Sequence, residues 1–203
     1  MKYLKEFISS VFAGISISLG CMIYLLVENK IIGAIFFSLG LFLVLNRKYH
    51  LFTGKVANLI EEGPKYLLNL VNIWLGNLVG SLIMVLFTKF SKLNYLTDAA
   101  ITVSNNKVSQ SHLSAFLLAM LCGVIIFLAV DYFNKNDTGV GKYAGLFTLI
   151  PTFIICGFEH CVANMYYLLL ANEITVDSVI FLLIVSIGNT IGSVIYKYFE
   201  LKK

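Results

Sequence analysis

"GFEHCVANMY", residues 157–166, sets a glutamate and a histidine side by side inside an otherwise apolar run. Ionisable side chains in hydrocarbon are costly, and a spanning segment keeps them where they face a cavity, a partner or a pore. Hydrocarbon is the right reference for this chain. Of its 203 residues 59% are hydrophobic and 13% charged, with a mean hydropathy of +0.86, whereas soluble domains carry about 25% charged residues. Segments 7–27, 66–88, 113–130 and 178–196 contain no Asp, Glu, Lys or Arg. Each is about long enough to cross a ~30 Å hydrocarbon core. Segments 31–46 and 143–158 are shorter and run into polar sequence. The reading is an all-α integral membrane protein with six transmembrane helices, residues 1–203 forming a single domain. Segment 7–27 follows Lys2 and Lys5 but exceeds the core of a signal peptide, so it reads as the first span.

The opening motif has a sibling. "LFTGKVANLI" (51–60) shares Phe and Val-Ala-Asn with "GFEHCVANMY", and "GNLVGS" (76–81) matches "GNTIGS" (188–193). Two ordered pairs of motifs point to a duplication, repeat 1 at about 7–92 and repeat 2 at about 110–198. Three spans per half is an odd number, so the second copy enters the membrane from the other side. Such an inverted 3+3 repeat places a transport pathway at the repeat interface. The second and fifth spans read as broken helices, with Gly54 and Gly157 marking the interruptions. Freed backbone is tolerated at depth only where it is buried in protein or lines a cavity, and restarted helix N-termini favour an anion. The small-xxx-small spacing of both GNxxGS motifs, of Gly14/Ser18 and of Ser16/Gly20 reads as helix packing and oligomer contact.

His160 is read as a pathway residue that donates a hydrogen bond to an anion or changes protonation near neutral pH; the bland alternative is a buried histidine satisfied by a carbonyl. Thr53 offers a hydroxyl opposite it, or caps the broken helix. Glu159 is expected to bond freed backbone N–H groups rather than face the pore, and Asn58 and Asn164 to tie broken backbone to neighbouring spans. The four cysteines (21, 122, 156, 161) lie in apolar segments without a CxxC pair and read as buried small hydrophobes. No metal site and no cofactor is assigned, and no basic tract is dense enough for nucleic acid. With six spans both termini share one side. That side collects Lys2, Lys5, Lys65, Lys135, Lys142, Lys197, Lys202 and Lys203, against Lys30, Lys89, Lys92 and Lys107 opposite. The positive-inside rule then puts both termini in the cytoplasm of a cell with this protein in its cytoplasmic membrane.

These motifs resemble the formate/nitrite transporter family. The matches are "LFTG" at 51–54, the segment from Lys107 through "FLLAMLCG" to Val130, "GFEHCVANMY", and the late "GNTIGS", in family order from residue 7 to about 198. The resemblance implies a homopentamer of aquaporin-like protomers, embedded in lipid, each a channel for small monovalent anions of the formate, nitrite or hydrosulfide type. It makes His160 the central pore histidine and Thr53 its partner, and Lys107 the lysine that draws anions in from the periplasmic vestibule. Phe37, Leu41 and Phe153 would form the periplasmic constriction, and Leu51 and Phe52 the cytoplasmic one.

The chain departs from the family pattern at His50, where a glutamate is usual, and at Gly123, where an asparagine is usual. It departs again at Arg47, Lys48 and Lys55. Lys55 is expected in the cytoplasmic vestibule. Gly123 is expected to leave room beside His160, which with Lys55 points toward a softer anion such as hydrosulfide. Two other classes compete. A neutral-solute pore of aquaporin type would show paired Asn-Pro-Ala boxes, which are missing. An intramembrane metalloenzyme using Glu159, His160 and Glu61 or Glu62 lacks an HExxH motif.

Overall fold

The computed structural model describes residues 2–135 and 139–203, all of its regular structure helical. Part of the 133–142 loop therefore lies outside the described residues. Four helices are long and apolar enough to cross a membrane: α1 (Lys2–Leu26), α5 (Leu67–Lys89), α7 (His112–Lys135) and α10 (Val176–Glu200). Shorter apolar helices are α2 (Lys30–Asn46), α8 (Val140–Ile155) and α9 (Cys161–Ala171). Between α2 and α5 the chain makes one-turn helices, α3 (Phe52–Lys55) and α4 (Leu59–Glu62), bridged by a 3-10 turn at Val56–Asn58. The polar stretch between the uncharged segments 66–88 and 113–130 contains a further helix, α6 (Leu96–Val108), which packs on α9 and carries Lys107 near its end.

Both halves interrupt a helix with the same backbone device. α2 ends at Arg47, Lys48 adopts φ +56°, and the N–H groups of Lys48 and Tyr49 bond back to the carbonyls of Leu45 (3.2 Å) and Val44 (2.9 Å). α8 ends at Cys156, Gly157 adopts φ +69°, and the N–H groups of Gly157 and Phe158 bond to Ile154 (3.0 Å) and Phe153 (2.9 Å). Each is a Schellman closure with its left-handed residue just past the helix end, the position where glycine is usual. Residues of the two closures stand 109 positions apart, Lys48 facing Gly157. The register expected from Val-Ala-Asn, which paired Asn58 with Asn164, is thus off by three; Lys55 occupies the place of Asn164. Gly54 does not mark the first break either, since it lies inside α3, beyond the closure.

The long helices repeat the same pairing. α1 lies on α5 and α7 on α10, each so close that glycine is required at the crossing. A Cβ at Gly80 would fall on the Val11 carbonyl, and one at the equivalent Gly192 on the Met120 carbonyl. Gly14 abuts the Asn77 backbone as Gly123 abuts that of Asn189. Ser18 Oγ bonds Ser81 Oγ at 3.1 Å, and Gly20 packs on the Phe37 carbonyl. The small-residue motifs are therefore spent on packing within the chain, and the oligomer contacts expected of them are not needed to explain them. Gly123 also leaves no room beside His160: its missing side chain is what lets α10 approach α7. Of the cysteines, 21, 122 and 161 are buried as expected, but Cys156, at the end of α8, is exposed.

Candidate functional site

The breaks are held by two asparagines. Asn77 Oδ1 accepts from Phe52 N–H (2.9 Å), and its Nδ2 donates to the carbonyls of Ser10 (2.8 Å) and His50 (3.0 Å). Asn189 Oδ1 accepts from Cys161 N–H (3.0 Å), and its Nδ2 donates to the carbonyls of Ala119 (2.8 Å) and Glu159 (2.7 Å). Both side chains are fully buried. Each satisfies the backbone that its broken helix leaves unpaired, which a buried chain must do somehow. They are the N of the two GNxxGS motifs. The repeated amide in the middle of a span is the sequence signal for this role, alongside the packing role of the flanking glycines. The support expected from Asn58 is absent at the break: Asn58 lines a separate cavity with Glu61 and Lys197, whose side chains form an ion pair at 2.9 Å. Glu61 is thus remote in its contacts from Glu159.

His160 is the N-cap of α9, in extended conformation and 2% exposed. Its Nδ1 accepts the N–H of Ala163 at 3.1 Å, and its Nε2 lies 2.9 Å from Thr53 Oγ1. Because Nδ1 is engaged as an acceptor, the neutral ring carries its proton on Nε2 and donates it to Thr53. A second proton would have to displace the Ala163 N–H. At the restarted helices the N–H groups of Phe52, Cys161 and Ala163 are taken by Asn77, Asn189 and His160.

Glu159 is 2% exposed and departs from its expected role. Its carboxylate is bonded by side chains, Lys107 Nζ (2.6 Å), Gln110 Nε2 (2.8 Å) and Asn164 Nδ2 (2.8 Å), rather than by freed backbone N–H groups. Asn164 therefore ties a side chain, not broken backbone. Lys107, read as a free attractor of anions, is neutralised by that carboxylate.

Two cavities reach toward this centre. One, of about 450 Å³, is lined by Phe37, Lys107, Phe153, Gly157, Glu159, His160 and Asn164 among others. The other, of about 400 Å³, is lined by Leu41, Lys48, Leu51, Gly54, Lys55 and Lys142 among others. Seven lining positions of the second (Val44, Leu45, Lys48, Tyr49, Leu51, Gly54, Lys55) have their counterparts 109 residues on in the lining of the first. We call them the histidine and the lysine vestibule. Phe37 and Phe153 meet edge to face at 5.8 Å in the histidine vestibule, Phe153 standing 5.9 Å from the His160 ring. Leu41 does not join them as expected. It lines the lysine vestibule with Leu51, while Phe52, 8% exposed, lines neither.

The formate/nitrite transporter family description matches residues 1–199. The chain belongs to that family. As a family member with four helices able to cross a bilayer, it is a membrane protein. It is 28% identical over 185 positions to "Formate channel FocA" of Escherichia coli K12, covering 80% of this chain and 65% of that protein. It is 28% identical to "Nitrite transporter NirC" of Salmonella typhimurium, covering 93% and 79%. The chain thus spans just under two thirds of the formate channels it matches. Among solved structures, the chain superimposes on a "Pentameric formate channel with formate bound" with TM-score 0.82 and 25% identity, covering 96% of this chain and 94% of that one. A second, described as an "FNT family ion channel", gives TM-score 0.84 at 24% identity and supports the fold.

Proposed function

We propose that the chain is a channel or facilitator for small monovalent anions of the formate, nitrite or hydrosulfide type, and not an enzyme. In this reading it is an aquaporin-like protomer, one domain with six spans in an inverted 3+3 repeat. It sits in the cytoplasmic membrane with both termini in the cytoplasm, as one fifth of a homopentamer. The pathway runs from the histidine vestibule, past Phe37 and Phe153, across the His160–Thr53 pair and past Leu41 and Leu51 into the lysine vestibule. The observation that carries it is the 2.9 Å contact between His160 and Thr53, which joins the two broken helices between cavities lined by equivalent positions. The pentamer draws its support from the solved relative and from the apolar faces that α1, α5, α7 and α10 leave exposed.

The geometry favours hydrogen-bond donation over proton supply. An anion crossing a dry constriction loses hydration, and fixed donors replace part of it. As an ion enters, the neutral His160 Nε2–H can turn from Thr53 to the ion without gaining a proton, and the Thr53 hydroxyl is free to donate as well. Proton coupling then belongs to the permeating acid–anion pair more than to the imidazole.

The test separates capping from permeation. Asn is among the best N-caps, so His160→Asn preserves the Ala163 N–H bond while removing Nε2–H. We expect proteoliposome flux of formate and nitrite to fall about tenfold or more, the equivalent of one lost hydrogen bond in the barrier, with assembly intact. His160→Ala loses both flux and stability. Wild-type flux in folded His160→Asn, at every pH between 5 and 8, would remove the histidine from the pathway.

A further inference from the structure

The lysine vestibule holds a charge arrangement that passage of one monovalent anion does not require. Lys48, Lys55 and Lys142 all line it, and none of the three forms an ion pair among the described residues. Lys142 rests its Nζ over the Phe133 ring at 4.3 Å, which orients it without neutralising it. No described carboxylate lines this cavity. The acidic groups Glu61, Asp131 and Glu200 line the adjoining cavity, where Lys197 and Lys135 pair with them.

The internal repeat makes this placement informative. Lys48 stands where the other half has Gly157, and Lys55 where it has Asn164. Lys48 keeps its cation at a left-handed backbone position, φ +56°, that glycine fills without strain in the other half.

We propose that the lysine vestibule is a binding site for a divalent oxyanion of the phosphate or phosphate-monoester kind. A monovalent ion would leave two of the three ammonium charges uncompensated, whereas a dianion with several acceptor oxygens engages all three, and lysines bind phosphate as point charges. The floor of the cavity is Leu41 and Leu51, each 1% exposed. A dianion faces a far larger dehydration cost there than a monovalent ion, so it binds and does not pass. Bound phosphate then plugs the vestibule from one side only. The plugging rests on the transport reading above; the binding does not.

Inorganic phosphate is the probe, titrated into the purified full-length protein by calorimetry at constant ionic strength and at a pH where the dianion dominates. Saturable binding of about one phosphate per chain is expected. Lys48→Gly and Lys55→Asn, which install the residues of the other half, should each weaken it about tenfold, and Lys107→Met in the other vestibule should leave it unchanged. In oriented vesicles, phosphate on the Lys48 side should lower formate flux and phosphate on the opposite side should not. Absence of saturable binding, or equal weakening by Lys107→Met, overturns the proposal, and it does so even if formate flux is robust. Phosphate binding that depends on Lys48 and Lys55 in a protein that moves no anion upholds the site and removes the transport reading instead. A phosphate monoester of similar charge, run in parallel, identifies which source of the dianion the cavity prefers.

Discussion

Set side by side, the two vestibules share a frame and differ in charge. Both are walled by a Schellman-closed helix end, a short extended link and a restarted helix tied by an asparagine from a late span. In the histidine vestibule a single lysine is held at 2.6 Å by a carboxylate that two amides also clamp. In the lysine vestibule three lysines stand without any carboxylate partner among the described residues. The duplication repeats what the backbone demands, since an unpaired buried N–H or carbonyl costs about 1–3 kcal/mol wherever it occurs. It does not repeat the rim, where a side chain facing water-filled space can change without leaving a buried group unpaired. The centre is asymmetric too. His160 occupies the position that Leu51 holds in the other half, so the imidazole lines one vestibule and a leucine the other.

The strongest way to break the shared frame is to remove an asparagine. Asn189→Leu strands the Cys161 N–H and the Glu159 carbonyl and removes a second bond to the helical Ala119 carbonyl, and Asn77→Leu does the same for Phe52 N–H, the His50 carbonyl and the helical Ser10 carbonyl. Each should cost several kcal/mol, on the order of 3–5, at about 1–3 kcal/mol per stranded group with partial relaxation. Thermal unfolding in mild detergent should fall by similar amounts for the two. A large loss for one and none for the other would mean that the halves are not held alike.

Lys107→Met tests the charge on the histidine side. It leaves the Glu159 carboxylate buried with only Gln110 and Asn164 as donors. Breaking a fully buried pair costs about 3–5 kcal/mol; Lys107 is 20% exposed, so about 2–3 kcal/mol is expected. The added negative charge should also slow anion entry from this side more than from the lysine side. Symmetric slowing in oriented vesicles would contradict the assignment of Lys107 to one vestibule.

How far the sequence carried can be judged from particular residues. Hydropathy located the four long helices, because an uncharged run of 18 or more residues has few other uses. His160 and Thr53, singled out by the specific motifs, lie at hydrogen-bonding distance. Glycine does not mark the break in the first half, because the chain sets Lys48 at the left-handed position and Gly54 inside the next turn. The repeat register slipped for a related reason. Val-Ala-Asn recurs by letter, but after the first break the chain winds through a 3-10 turn where the second half runs on as α9. Helix α6 was missed since its sequence is polar, and its packing on α9 is a tertiary fact. Leu41 does not group with Phe37, because the one helical turn between them carries it into the other cavity.

Gly123 gives a smaller effect with a sharp sign. If the glycine opened space beside His160, an asparagine there would be tolerated and would alter selectivity. Its position against the Asn189 backbone predicts instead that Gly123→Ala and Gly123→Asn push α7 from α10, at a cost of about 1–3 kcal/mol for overpacking. Gly14→Ala, the same contact in the other half, should match it. Unfolding midpoints measure both; a stable Gly123→Asn with a changed formate-to-nitrite flux ratio would restore the original expectation.

The smallest effect discriminates best between frame and rim. Lys48 and Gly157 share one backbone conformation, so exchanging their residue types changes side chains on a fixed frame. A non-glycine residue in the left-handed region costs about 1–2 kcal/mol, and glycine loses about 0.5–1 kcal/mol through its freer unfolded chain. Lys48→Gly should therefore be neutral to stabilising, by up to about 1 kcal/mol. Gly157→Lys should destabilise by a similar amount; nothing lies within 4 Å of a Cβ built there, so the backbone term stands alone. The electrostatic consequences should be opposite as well. Removing Lys48 weakens the salt dependence of anion entry from its side, and adding a lysine at 157 strengthens it on the other, since attraction between exposed charges is screened by salt. Stability measured by denaturation and entry rates measured at two ionic strengths separate the terms. If Lys48→Gly destabilises the protein, the lysine is held by contacts within the chain, and its place on the rim is structural and not electrostatic.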